Sequence, residues 1–358
     1  MMDWQNKIIK NILLVWLLCF CSCINVPDKS YYRNVPLSKI TNPYIIEVND
    51  NGEFHNKNQI THLISGLKNE KENTHIVLFI HGWHHNSHPN DPHLIDFKKF
   101  LSNLGKKGKN HNTIGIYLGW RGEEKTGINY LTLKSRKNIS NIVGSKALNK
   151  VLSILKTIVK DKNNFRVTII GHSLGGSVLF YSIFDEIKNG IFDFSKQFKF
   201  IMLNPALSAS EFDKGIQGVI HKRLDLRTEF PVIVMQSNTD FPVKWLLPFL
   251  TDSPSVGFSK KHITHGLWAC AEDNATCIDN LKAKYEKKTQ CVKLIKNKTW
   301  YLHTNNHTNE YNEYSCKESW ELPFIVIQNA PTVSMNHNQI LTNSFAEALL
   351  DIIDEQQK

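Results

Sequence analysis

The stretch FRVTIIGHSLGG at residues 165–176 restricts the fold more than any other part of the chain. A β-branched, apolar run (Val167, Thr168, Ile169, Ile170) stops at Gly171. His172, Ser173, Leu174, Gly175 and Gly176 then lead into a helix-like run over Ser177–Lys188. The pattern predicts a strand, a very tight turn and a helix. A serine on such a turn is held in strained backbone, so the residues two places before and after it must be small. Gly171 and Gly175 meet that need. The turn lifts the Ser173 hydroxyl off the end of the strand, and the helix aims its first N–H groups at any negative charge forming beside it. A serine that only caps a helix after a glycine turn explains one glycine but not the symmetric pair.

The rest of the chain alternates in the same way. Strands are expected over Tyr44–Val48, His75–Ile80, Thr113–Leu118, Phe198–Leu203, Pro231–Gln236 and Pro323–Gln328. Helices are expected over 59–69, over 92–104, over 145–160 with its stripe Leu148, Val151, Leu152, Ile154, Leu155 and Ile158, and over Ile340–Ile353. Strands that alternate with helices and lack polar alternation predict a parallel sheet covered on both faces. The expected class is therefore α/β, with a mostly parallel central sheet flanked by helices. One section, about 255–320, breaks the rhythm: it is rich in Asn and Lys, shows little periodic pattern, and reads as an insertion before the last strand.

The 358 residues, 41% hydrophobic and 21% charged, suit a globular domain of ordinary composition. The formal charge of +10 is spread along the chain, which fits a solvated basic surface or attraction to an anionic membrane. No nucleic-acid-binding module is evident, so no nucleic-acid partner is expected. Lys7 and Lys10 precede an apolar run, Ile12–Cys21, too short to span a bilayer comfortably, and Ser22-Cys23 follows. This resembles a bacterial lipoprotein signal cleaved before Cys23, which would carry lipid. Plain secretion and an uncleaved anchor are the other two readings, and all three place the domain outside the cytosol. The implied division is a signal segment at 1–22, a tether at 23–43 and one domain at 44–358.

Beyond the signal the cysteines are Cys270, Cys277, Cys291 and Cys316, all in or near the inserted section. In an exported protein they read as two disulfides whose pairing the sequence does not choose. A zinc site using His262, His265 and Cys270 competes, but no C-x-x-C pair is present, and no metal is expected.

Gly171, His172, Ser173, Leu174 and Gly175, between a strand and a helix, resemble the nucleophile elbow of the α/β-hydrolase superfamily, in particular its serine esterases and lipases. The resemblance implies a base and an acid in the chain order Ser, acid, His. A serine hydroxyl needs a base to take its proton, and histidine as a residue type titrates near neutral pH. Among the 16 histidines, His337 follows the last expected strand and precedes the closing helix; His303 and His307 are weaker alternatives in the inserted section. Asp240, after Pro231–Gln236, is the implied acid and Asp252 the runner-up; Asp240 also fits a turn-former ahead of Pro242. The implied oxyanion donors are the backbone N–H groups of Leu174 and of Trp83, in the His81-Gly82-Trp83 segment. His84, His85, His88 and His93 make this loop histidine-rich, and it reads as a solvated polar loop in preference to a metal site.

The resemblance implies a serine hydrolase that cleaves carboxylic esters, lipids among the candidates, through an acyl-enzyme and with no cofactor. The partners expected are the ester substrate and a membrane surface reached through the N-terminal anchor. An acyltransferase using the same machinery and a surface binding protein without chemistry are the alternatives.

Overall fold

The computed structural model describes residues 28–32, 42–70, 73–107, 112–123, 129–189, 197–221, 232–259, 263, 265–269, 292–295, 300–304, 324–329, 337 and 341. Its strands are β1 (Tyr44–Glu47), β2 (Thr74–Ile80), β3 (Asn112–Gly119), β4 (Phe165–His172), β5 (Phe198–Leu203), β6 (Val232–Ser237), β7 (His265–Ala269), β8 (Val292–Ile295), β9 (Trp300–Thr304) and β10 (Phe324–Asn329). They form one sheet in the order β1-β3-β2-β4-β5-β6-β10-β7-β9-β8. Every pairing from β1 to β7 is parallel; β9 runs antiparallel to both β7 and β8.

The helices are α1 (Lys57–Asn69), α2 (Pro92–Lys107), α3 (Asn129–Val143), α4 (Asn149–Val159), α5 (Leu174–Ser182), α6 (Phe184–Asn189), α7 (Ala209–His221) and α8 (Leu247–Thr251). Two cores account for the missing polar alternation in the strands. Ile76, Leu78 and Ile80 of β2 face a core shared with α1 and with α3 to α5. Val77 and Phe79 of the same strand face a second core, where α2 contributes Leu94, Phe97, Phe100, Leu101 and Leu104. A strand buried on both sides has no face to leave polar.

The structure differs from the sequence reading in three respects. The expected helix Ser177–Lys188 begins at Leu174, directly after the turn, and breaks at Ile183, whose N–H bonds back to Phe180. Helices α3, α7 and the short α8 lie where no helix was expected. The inserted section is not without pattern: β7, β8 and β9 lie within it and carry the sheet past β10. Strand β6 is therefore not penultimate in the chain, although it is the neighbour of β10 in the sheet.

Several expectations fall outside the described residues: the segment 1–22, Cys23, Cys270, Cys277, Cys291, Cys316, and the closing helix apart from Leu341, which packs against the second core. Among the described residues no helix is long and apolar enough to cross a membrane.

Candidate active site

Because the strands run parallel, the carboxyl ends of β1 to β6 and β10 share one edge of the sheet, the usual place for chemistry in this architecture. The residues after β4 form a sharp strand-to-helix turn on that edge. Ser173 adopts φ 54° and ψ −119°, left-handed backbone that costs a serine energy and that its surroundings must enforce. They do so through three hydrogen bonds: Ser173 N–H donates to the Leu203 carbonyl at 3.0 Å, and the Ser173 carbonyl accepts from Gly176 and Ala206 N–H at 2.9 Å each. The flanking glycines answer to close contacts. A Cβ on Gly171 would lie 2.4 Å from the Gly175 carbonyl oxygen, and one on Gly175 would lie 2.2 Å from that of Ile80.

Asp240 follows β6 and is fully buried. Its Oδ1 accepts from Val243 N–H at 3.1 Å, and its Oδ2 accepts from Gln236 Nε2 at 2.9 Å. Gln236 is held in turn by Asn204 Oδ1 at 3.2 Å, so the end of β5 helps to fix the carboxylate.

His337, beyond β10, reaches both of these groups. Its Nδ1–H donates to Asp240 Oδ1 at 2.9 Å, and its Nε2 accepts from the Ser173 hydroxyl at 3.0 Å. Carboxylate, imidazole and hydroxyl thus stand in one hydrogen-bonded line, with the carboxylate fixing the tautomer that leaves Nε2 free to take a proton. Asp252, the runner-up acid, instead sits in left-handed backbone at the end of α8. His303 lies in β9, two strands beyond β10, and His307 is outside the described residues.

The loop after β2 packs directly on the turn. A Cβ on Gly82 would come within 2.8 Å of the Ser173 Cβ, so only glycine lets this backbone approach so closely. Trp83 follows, with its indole N–H donating to Thr132 Oγ1 at 3.2 Å. Leu174 is the first residue of α5, where a backbone N–H has no intrahelical acceptor. The two residues expected from sequence as oxyanion donors thus lie next to Ser173 in the chain (Leu174) and next to Gly82, which packs on it (Trp83).

The histidine-rich loop is not the solvated loop expected from sequence. His84 and His88 are exposed, but His81 and His93 are buried and His85 is half-buried. His81 Nδ1–H donates to the Gly82 carbonyl at 3.0 Å, and its Nε2 accepts from Trp120 N–H at 3.1 Å. Burial pushes its pKa down to about 4, so it serves as a neutral brace between the loops after β2 and β3. His85 stacks on His93 with ring centroids 3.4 Å apart and donates from Nδ1 to Asp91 at 3.1 Å. His93 meets His172 edge-on at 4.9 Å. The polar residues stayed inside because they bond or stack to one another.

His172 was read from sequence only as the residue of the turn between Gly171 and Ser173. Its Nε2–H donates to the His337 carbonyl oxygen at 2.8 Å, while Nδ1 is buried with no partner. Burial holds its pKa well below the usual histidine value, with the nearby His337 and His93 pushing the same way, so the ring stays neutral. Nothing in the local sequence signals this contact, which joins residues far apart in the chain. Among the described residues no group of three or more His, Cys, Asp or Glu side chains could hold a metal ion.

A comparison with curated proteins finds no match. A family model described as an alpha/beta hydrolase of unknown function (DUF900) matches residues 55–242, more than half of the chain. The matched span runs from the start of α1 past the Ser173 turn to Asp240, and ends before His337. With a mostly parallel sheet, flanking helices and a serine turn at the end of β4, the chain belongs to this α/β-hydrolase family.

Proposed function

We propose that the protein is a serine hydrolase acting on carboxylic esters, tethered to a membrane through a lipidated Cys23. The observation that carries the reading is the line from Asp240 Oδ1 through His337 to the Ser173 hydroxyl, with distances of 2.9 and 3.0 Å. Ser173 Oγ attacks the ester carbonyl while His337 Nε2 takes its proton. The carbonyl oxygen becomes an oxyanion, which the N–H groups of Trp83 and Leu174 stabilise, helped by the positive end of α5. His337 then gives the proton to the leaving alcohol, and the acyl group remains on Ser173. Water, deprotonated by His337, releases the acid and restores the hydroxyl. Asp240 orients the ring and stabilises its charged form throughout.

A panel of p-nitrophenyl esters of increasing acyl length tests the reading and ranks the substrate classes. Folded Ser173→Ala is expected to lose about 10³–10⁶ in kcat across the panel. Hydrolysis that persists in that variant at the wild-type rate would sink the assignment.

A further inference from the structure

Two features outside the reacting residues lie on the same edge of the sheet. The first is a strap. Residues 30–32 are clamped by Glu47, the buried last residue of β1. Glu47 accepts from the Tyr31 backbone N–H at 2.7 Å, from that of Tyr32 at 3.1 Å and from the Ser30 hydroxyl. It also accepts from Ser87 Oγ at 2.6 Å and Gln59 Nε2 at 2.9 Å, which ties the strap to the loop that bears Trp83. Asp28 adds bonds to Asp50 N–H at 2.9 Å and His55 Nε2 at 3.0 Å. Five donors on one buried carboxylate make a fixed attachment.

The second is an exposed rim directly after Asp240. Phe241 is 65% exposed and Trp245 52%, the two most exposed large apolar side chains among the described residues. They face each other at 6.4 Å, and Lys244 Nζ stands 5.7 Å above the Trp245 ring. The strap repeats the combination, with Lys29 Nζ 5.7 Å above the Tyr31 ring.

In the order β1-β3-β2-β4-β5-β6, the strap sits at one end, the rim at the other and Ser173 between them. At ~4.8 Å per strand the two are about 24 Å apart. Asp28 is five residues after Cys23, a reach of about 17 Å at full extension. A chain held at Cys23 therefore keeps the strap end of this edge within about 17 Å of the bilayer, and the rim is left to bring the other end down. Aromatic side chains beside lysine are the usual composition of a protein surface seated among anionic headgroups, and the chain as a whole carries +10.

We infer that the strand-end face is apposed to an anionic lipid surface, with Trp245 and Phe241 entering the headgroup layer, Lys244 pairing with lipid phosphate, and the mouth of the site opening toward lipid. This rests on the tethered reading above and names the orientation it would impose.

The test uses the full-length chain incorporated in vesicles of phosphatidylcholine and phosphatidylglycerol, roughly three parts to one, and in pure phosphatidylcholine. Flotation reports tethering, and amide hydrogen exchange over 241–247 reports the rim. Exchange is expected to slow about threefold or more on the anionic vesicles. The protection should disappear in Trp245→Ser and Lys244→Glu, which still float and still hydrolyse a water-soluble ester. Flotation with unchanged exchange overturns the orientation while leaving tether and hydrolase intact. Protection that appears without vesicles and grows with protein concentration assigns the rim to a second copy of the chain and also overturns it. A chain that does not float removes the tether, and the orientation with it, whatever its activity on the soluble ester.

Discussion

His172 donates a 2.8 Å hydrogen bond from Nε2 to the carbonyl oxygen of His337, so the residue beside Ser173 holds the backbone of the residue whose ring accepts the Ser173 hydroxyl. Turn and ring are thereby locked together at two points. His172→Phe keeps the ring and removes the donor. A buried hydrogen bond contributes about 0.5–1.5 kcal/mol, which corresponds to a fall in kcat of roughly twofold to tenfold on the proposed reaction, with KM little changed. His172→Gln, which restores a donor, should recover part of the loss. Wild-type kcat in a folded His172→Phe protein would show that the contact does not position His337.

Burial keeps His81, His93 and His172 neutral, with pKa values pushed down by loss of solvation. In the unfolded chain a histidine takes up a proton below about pH 6.5. The unfolded state then binds more protons than the folded one, so stability falls as pH falls. For His81 the window runs from about 6.5 down to its folded value of about 4. Each such ring removes up to ~1.4 kcal/mol per pH unit inside its window. Urea unfolding between pH 7.5 and 5, read by circular dichroism, should give a steadily falling free energy, with a shallower slope in His93→Phe. A flat profile over that range would contradict the neutral burial of these rings.

Lys137 of α3 is buried and its Nζ donates to Glu211 of α7 at 2.8 Å and to Ser177 of α5 at 3.1 Å. Three helices on one face thus meet at a single ion pair. Removing only the carboxylate leaves the ammonium unpaired away from water, at a cost of about 3–5 kcal/mol. Glu211→Gln should lower the urea midpoint strongly, whereas the double change Lys137→Met with Glu211→Leu should recover much of the loss. A Glu211→Gln protein as stable as wild type would contradict this.

The sequence showed most of the sheet and little of what polar residues do inside the protein. Strands β2 to β6 were visible because residues such as Ile76–Ile80 and Val167–Ile170 are buried on both faces, which leaves unbroken apolar runs. Helix α3 was missed because Arg136 and Lys137 sit inside, paired with Asp50 and Glu211, where a helical stripe would show apolar residues. Helix α7 did carry a signal: Ser208 and Glu211 form a reciprocal cap, with Glu211 N–H to Ser208 Oγ at 3.2 Å and Ser208 N–H to Glu211 Oε2 at 3.0 Å. At the site, Ser173 was legible from its glycines, and Asp240 and His337 from their order after strands. The packing of His81, His85, His93 and His172 was not, because it depends on partners brought together only by the sheet.

The most direct test of the proposed chemistry is to treat the purified chain with a fluorophosphonate probe and locate the adduct by peptide mass spectrometry. The account predicts one adduct, on the peptide that contains Ser173, absent in Ser173→Ala and formed at least about a hundredfold more slowly in His337→Ala. A folded wild-type protein that takes no adduct, or takes it on another residue, would contradict it.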